Sequence, residues 1–176
     1  MEFVLQSSYL VGLFALLVVA AILVARQVWR TRTTETRLSQ LQQRVNEGQA
    51  TPSDYYELGS IYLRKKLYVQ CVNQLQKAIK LWDENDPAGL AKVYNALGYA
   101  YFSQEQYDLA IRNYKEALKL QPDYVTGMNN LGHAYEKKKL TAQALEMYEQ
   151  ALTIAPDNST AKQRANSLRK RLAPSG

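Results

Sequence analysis

Over its second half the chain repeats itself every 34 residues. Leu97 and Leu131, Gly98 and Gly132, Tyr101 and Tyr135, Ala110 and Ala144, Ala117 and Ala151, and Pro122 and Pro156 all stand 34 positions apart. One unit reads Tyr94-x2-Leu97-Gly98-x2-Tyr101, then Ala110-x3-Tyr114, Ala117 and Pro122. The next reads Met128-x2-Leu131-Gly132-x2-Tyr135, then Ala144-x3-Tyr148, Ala151 and Pro156. Self-similarity at such a period means stacked copies of one supersecondary unit, since a unit this short cannot cover its own apolar face. A looser unit opens near Pro52, with Tyr55-x2-Leu58-Gly59-x2-Tyr62, Cys71-x3-Leu75 and Ala78. Gly59 and Gly98 are 39 apart, so five extra residues fall within Trp82–Leu90, where Pro87 takes the place of the expected terminal proline.

These columns resemble the tetratricopeptide repeat, a 34-residue helix–turn–helix with the pattern W-x2-L-G-x2-Y…A-x3-F…P. The resemblance implies an all-α solenoid of about three repeats over residues 52–158, divided at about 52–90, 91–124 and 125–158. Gly98 and Gly132 lack a side chain, so the facing helix can approach closely. Ala110, Ala117, Ala144 and Ala151 are small for the same reason, and Cys71 shares their column, which reads as a packed residue rather than a reactive thiol. Pro122 and Pro156 stop the second helix of their units. Residues 159–176 follow as a capping helix and basic tail, with Ala161, Ala165, Leu168 and Leu172 on the face that would cover the open flank of the last repeat.

The front of the chain obeys a different rule. Tyr9–Ala25 is uncharged over 17 positions, and extension to Phe3 is interrupted only by Gln6, Ser7 and Ser8. A hydrocarbon core of about 30 Å needs about 20 apolar residues at about 1.5 Å each. Residues 1–25 therefore read as a transmembrane anchor, entering the membrane through residues 3–25, with Tyr9 and Trp29 at the two interfaces. A cleaved signal peptide is the rival, but it calls for a basic start, and Glu2 stands there. Arg26, Arg30, Arg32, Arg37 and Arg44 follow the run, which places the remainder on the cytoplasmic or stromal side. Residues 26–51 read as a polar helical spacer: Leu38, Leu41 and Val45 share a face, too few for a coiled-coil seam. Gly48 and the Thr51-Pro52 step end that helix.

Function is sought in the groove of the stack. The first helix of each unit lines the concave side, and by family resemblance that groove holds a peptide or protein partner. Between the packed columns stand Tyr56, Ser60 and Leu63 in the first unit, Asn95, Tyr99 and Phe102 in the second, and Asn129, His133 and Glu136 in the third. Asn95 and Asn129 are equivalent, and amides both donate and accept; they serve either a bound backbone or only a solvated face. The aromatic residues would supply anchoring area. The two-carboxylate clamp of chaperone-binding relatives is incomplete, because Ser53, Tyr56, Glu57 and Ser60 stand where Lys and Asn would be expected.

Charge and composition exclude other classes. The net charge of +6 sits at the ends: residues 52–158 carry twelve basic against thirteen acidic residues, while 159–176 carry five basic residues and no acid. Nucleic acid is therefore not an expected partner. Arg64-Lys65-Lys66 and Lys137-Lys138-Lys139 fall at turns on one edge of the solenoid, read as solubility and turn chemistry, and Lys162–Arg171 could meet anionic head groups. One His, one Cys and no glycine-rich phosphate loop leave no catalytic site, no metal site and no cofactor expected.

A single N-terminal span, a short spacer and three such units are similar to the thylakoid tetratricopeptide factors of cyanobacteria and plastid genomes that support photosystem I assembly. That resemblance implies a scaffold at the thylakoid membrane gripping photosystem I subunits or assembly factors. A general membrane adaptor for envelope or secretion machinery, or an organelle import receptor, shares the same features.

Overall fold

The computed structural model describes residues 2–172, with side chains other than those of residues 2–11, 15 and 30. The Tyr9 ring and the tail residues 173–176 lie outside the described residues. Eight elements are described and all are α-helices: α1 (Glu2–Asn46), α2 (Pro52–Arg64), α3 (Tyr68–Leu81), α4 (Pro87–Ser103), α5 (Tyr107–Leu120), α6 (Val125–Lys137), α7 (Thr141–Ile154) and α8 (Ser159–Leu172). From α2 to α7 they form three antiparallel pairs, α2–α3, α4–α5 and α6–α7, each packed on the next.

The turn inside each pair is built the same way. Lys66, Glu105 and Lys139 have φ of 59°, 60° and 60°. The next residue's N–H reaches back over the turn in each pair: Leu67 to the Tyr62 carbonyl, Gln106 to Tyr101 and Leu140 to Tyr135, at 2.9, 3.0 and 2.9 Å. This left-handed residue with a six-to-one bond is a Schellman cap, which satisfies orphan carbonyls while reversing the chain.

The glycine column marks where the two helices of a pair touch. A Cβ on Gly98 would lie 2.7 Å from the Tyr114 ring and 3.2 Å from the Ala110 carbonyl. On Gly132 it would meet the Tyr148 ring at 2.9 Å, and on Gly59 the Leu75 side chain at 2.8 Å. Tyr114, Tyr148 and Leu75 are themselves fully buried by this approach. Cys71 sits in the same layer at 0 % exposure, and burial pushes its thiol up to about 12, so it is packing and not a nucleophile.

Pro87 does not end the first unit. It opens α4, where a missing N–H costs nothing, and Asp86 caps that helix through Gly89 N–H at 2.8 Å. The five additional residues thus form a short link after Leu81 and an added turn at the front of α4. At the far end, Ala161, Ala165 and Leu168 of α8 are buried against α7, but Leu172, expected on the same face, is the last residue of α8 and 48 % exposed.

The segment expected as a polar helical spacer packs on α2. Helix α1 continues unbroken to Asn46, and its last third lies antiparallel on α2. Leu41 is fully buried and Leu38 nearly so, against Leu58 and Ile61, with Val45 and Tyr62 alongside. Arg37 donates to both Glu57 carboxylate oxygens, Lys65 pairs with Glu35, and Gln42 donates to the Tyr62 hydroxyl. Arg44 donates at 3.0 Å to Asp54, which also accepts from the Thr51 N–H and hydroxyl, closing a capping box at the start of α2. Burial alone would raise the Asp54 carboxyl, but the Thr51 donors, Arg44 and Arg37 hold it below the usual range. The Arg37 hydrogen bonds do the same for Glu57. Forward of this joint, α1 is the one helix among the described residues long and apolar enough to cross a membrane, and its described large apolar side chains from Leu13 to Val24 are exposed.

Two outcomes are expected. Gly98→Ala gains about 1 kcal/mol of helix propensity, yet its Cβ would crowd both the Tyr114 ring and the unyielding Ala110 carbonyl, so net destabilisation of about 1–2 kcal/mol should appear in urea unfolding of the detergent-solubilised chain. Asp54→Asn should cost about 1–3 kcal/mol at neutral pH. Because the folded-state carboxyls of Asp54 and Glu57 are depressed, their stabilisation is present above about pH 4 and is lost as pH falls through their folded values. The variant should therefore lose less stability on acidification than the parent chain.

Candidate functional site

The first helices of successive pairs lie side by side and parallel, forming the inner layer of the stack. Asn130 Nδ2 of α6 donates to Asn95 Oδ1 of α4 at 2.8 Å. Asn129 Nδ2 donates at 3.2 Å to Asn158 Oδ1, which also accepts from Ala161 N–H at 2.8 Å and so caps α8. That cap fixes Asn158 as the acceptor, and hence turns the Asn129 amide nitrogen toward it. Asn129 Oδ1 is then buried with no partner among the described residues.

The expected amide column is therefore stitched to itself. Asn95 and Asn129 keep equivalent places but take different partners, because Arg164 occupies the position one period after Asn130. Arg164 instead lies 3.6 Å from Glu136 Oε2, while the Tyr148 hydroxyl donates to Glu136 Oε1 at 2.8 Å. Glu136 is thus engaged inside the α6–α7–α8 contact rather than offered to a ligand. Leu63 packs against the cluster around Cys71, Leu75 and Val93, and Ser60 donates to the Tyr56 carbonyl at 2.9 Å within its own helix. Tyr56 meets Trp82 edge to face at 6.2 Å.

What the structure does gather is an aromatic platform across α4 and α6. Tyr99 stacks on Phe102 with ring centres 6.4 Å apart and planes 17° apart. Phe102 lies 4.7 Å from the His133 ring and 5.4 Å from Tyr107. Phe102 is partly buried against the core, whereas Tyr99 is 48 % exposed. Burial pushes the His133 imidazole down, Arg164 and Lys137 push the same way, and Glu136 opposes them. The imidazole is consequently neutral near pH 7. Rings of this kind gain about 0.5–1.5 kcal/mol per pair beyond their buried area, so the platform is a preset surface.

Of the residues expected in the groove, Tyr99, Phe102 and His133 lie together, while Asn130, Asn158, Trp82 and Arg164 contact other expected groove residues without having been singled out in the sequence. Their partners lie 26 to 35 positions away, and only Asn130 carried a signal, as the neighbour of a periodic asparagine. The chemistry on offer is neutral amides, a neutral imidazole and a half-exposed phenol ring, with Arg164 and Lys137 at one end. Among the described residues no group of His, Cys, Asp and Glu could hold a metal ion.

Comparison with known proteins agrees with this architecture. A TPR repeat family profile matches residues 98–139, and the Tetratricopeptide repeat family matches residues 125–158. The protein ycf37 of Guillardia theta is 38 % identical over 130 residues, covering 74 % of this chain and 73 % of that protein. The chloroplastic tetratricopeptide repeat domain-containing protein PYG7 of Arabidopsis thaliana is 42 % identical over 129 residues, covering 73 % of this chain but 42 % of that longer protein. The crystal structure of MamA superposes with a TM-score of 0.71 over 81 % of this chain and 82 % of that one, at 22 % identity, a likeness of fold.

The His133 geometry fixes a sign for pH dependence. A folded imidazole held below its ordinary value of about 6.5 disfavours the charged form, so folding stability should fall as pH drops through that value toward the folded-state one. His133→Asn should flatten the slope in that window, as thermal unfolding at a series of pH values would read.

Proposed function

The chain belongs to the ycf37 family of tetratricopeptide-repeat proteins, and from that we propose that it is a membrane-anchored scaffold that grips a protein partner in its inner groove and supports photosystem I assembly at the thylakoid membrane. The anchor is residues 3–25, with the repeats on the cytoplasmic or stromal side. The reading is carried by one observation: a half-exposed Tyr99 stacked on a Phe102–His133 platform that joins two repeats. A large ring left in water on a preordered base is the kind of group that dominates interface energy. The relatives support the setting, since PYG7 is described as chloroplastic. The apolar front of α1 supports the anchor, because Leu13, Phe14, Leu16, Leu17, Ile22 and Leu23 are all more than half exposed.

The partner under this reading is a photosystem I subunit or an assembly factor, held by an apolar or aromatic side chain seated on the Tyr99–Phe102–His133 platform. Confinement of both proteins to one membrane raises their effective concentration, so a modest groove suffices. The test pairs two variants in a photosynthetic host lacking the endogenous protein. Tyr99→Ala, at a surface position, should leave the protein level unchanged while photosystem I accumulation falls several-fold, and a photoreactive residue at Asn95 should crosslink to a photosystem I subunit. Full rescue by the fragment without residues 1–25 would sink the anchored reading.

A further inference from the structure

The joint between α1 and α2 determines which edge of the solenoid looks toward the membrane. Glu35 is level with Lys65, Arg37 with Glu57 and Arg44 with Asp54, so α1 runs antiparallel to α2. Travelling along α1 toward its apolar front therefore leads past the C-terminal end of α2 and its turn. The end of the apolar run at Ala25 is ten residues beyond Glu35, or roughly 15 Å of helix. A cleft lined by Gln27, Thr31, Thr34, Glu35, Arg64 and Lys65 fills part of that gap, so Arg64 and Lys65 reach back along α1 toward its apolar segment.

Every pair repeats this direction. Asn95 meets Asn130 and Phe102 meets His133, so α4 and α6 are parallel; Asn129 meets Asn158 and Glu136 meets Arg164, so α6 and α8 are parallel. The C-terminal ends of α2, α4, α6 and α8 consequently share one edge. Three of those four ends carry basic triplets: Arg64-Lys65-Lys66, Lys137-Lys138-Lys139 and Arg169-Lys170-Arg171. Lys65, Lys138 and Arg169 are paired with Glu35, Asp108 and Glu149. Arg64, Lys66, Lys137, Lys139, Lys170 and Arg171 are exposed and form no salt bridge among the described residues. Against them stands Glu105 in the middle turn.

We propose that this edge is a docking surface for anionic lipid head groups, so that the solenoid lies along the membrane on its helix-pair turns and the groove opens sideways. The inference rests on α1 crossing the bilayer. Charge complementarity and reach both favour a lipid partner. A head-group layer occupies the first ~5–7 Å beyond the hydrocarbon, and what remains of the ~15 Å rise is close to a Debye length of about 8 Å. The edge therefore sits within the field of an anionic surface. An acidic protein would fit the charges, but the tether presents the lipid first.

The test uses the full chain reconstituted into vesicles of phosphatidylcholine alone or mixed with phosphatidylglycerol. A fluorophore is attached at Gln106→Cys on the edge or Asp123→Cys on the opposite one; the buried Cys71 thiol will not compete. With a quencher on the lipid head groups, the residue-106 probe should be quenched several-fold more than the residue-123 probe in anionic vesicles. Concentrated salt should abolish the difference, and each of Lys66→Gln, Lys137→Gln and Lys139→Gln should shift the contact equilibrium roughly fivefold. Equal quenching at the two edges, or a difference indifferent to phosphatidylglycerol and salt, overturns the proposal while leaving the anchor standing. A chain that fails to float with neutral vesicles removes the anchor reading, and this inference with it.

Discussion

A helix pair of this length exposes more apolar surface than its two members can hide from water, and the rest of the structure is organised around covering it. Within each pair the glycine column brings the helices close enough for Tyr114, Tyr148 or Leu75 to seat fully. Between pairs, Leu97 shares a buried cluster with Cys71, Leu75 and Ala78 of the preceding unit, and Met128 and Leu131 share one with Ala110 and Tyr114 as well as with their own α7. The stack must still end twice. At the rear, α8 covers α7 with two alanines and Leu168. At the front, the open side of α2 is covered by α1, where burying Leu41 completely contributes about 1.5–3 kcal/mol.

The front cap and the long apolar stretch are therefore one helix, and this has mechanical consequences. A flexible spacer would let the solenoid sample all orientations relative to that apolar stretch. A helix docked through an apolar strip and several ion pairs transmits its direction to α2 and thence to every later pair. The ion pairs do not do this by strength alone. Arg37–Glu57 is nearly half exposed on both sides, and such pairs are worth at most about 1 kcal/mol. Arg44–Asp54 differs because the carboxylate is buried and already committed to the cap of α2, so sliding α1 by one turn would leave a buried charge unmatched. The apolar strip supplies affinity between the two helices, and the charges supply register.

The repeat columns were legible because period, small residues and ring positions all repeat in sequence; Gly98 and Gly132 do in space what their spacing implies. Pro87 misled because proline is equally at home just after one helix and at the first turn of the next, and only the Asp86 cap decides between them. The docked end of α1 was illegible for a related reason: three apolar residues on a polar helix fit a solvated spacer until the partner strip on α2 is known. Its complementary charges, Arg37 and Arg44 against Glu57 and Asp54, match only in an antiparallel register that one sequence does not specify. In the groove, the periodic asparagines were visible but not their bonds, since Asn130 and Asn158 belong to no shared column. The contacts of Glu136 were equally illegible, because the Tyr148 hydroxyl and Arg164 converge on it from two other helices.

Much of the inner layer is thus spent on holding itself together. Amides that could receive a peptide backbone are paired across repeats, the one carboxylate expected there is occupied, and Leu63 belongs to the core. What is left to bind with is rigid and uncharged: a phenol ring in water, a ring beneath it and a neutral imidazole beside both. Such a surface has low ordering cost but little area, and area-poor contacts are weak in three-dimensional solution. Under the proposed anchored reading the same contact would be met by a partner already confined nearby, so selection would act on orientation more than on raw affinity. A first cap that also carries the apolar stretch of α1 fits that proposal, because it fixes the direction of the platform relative to that stretch.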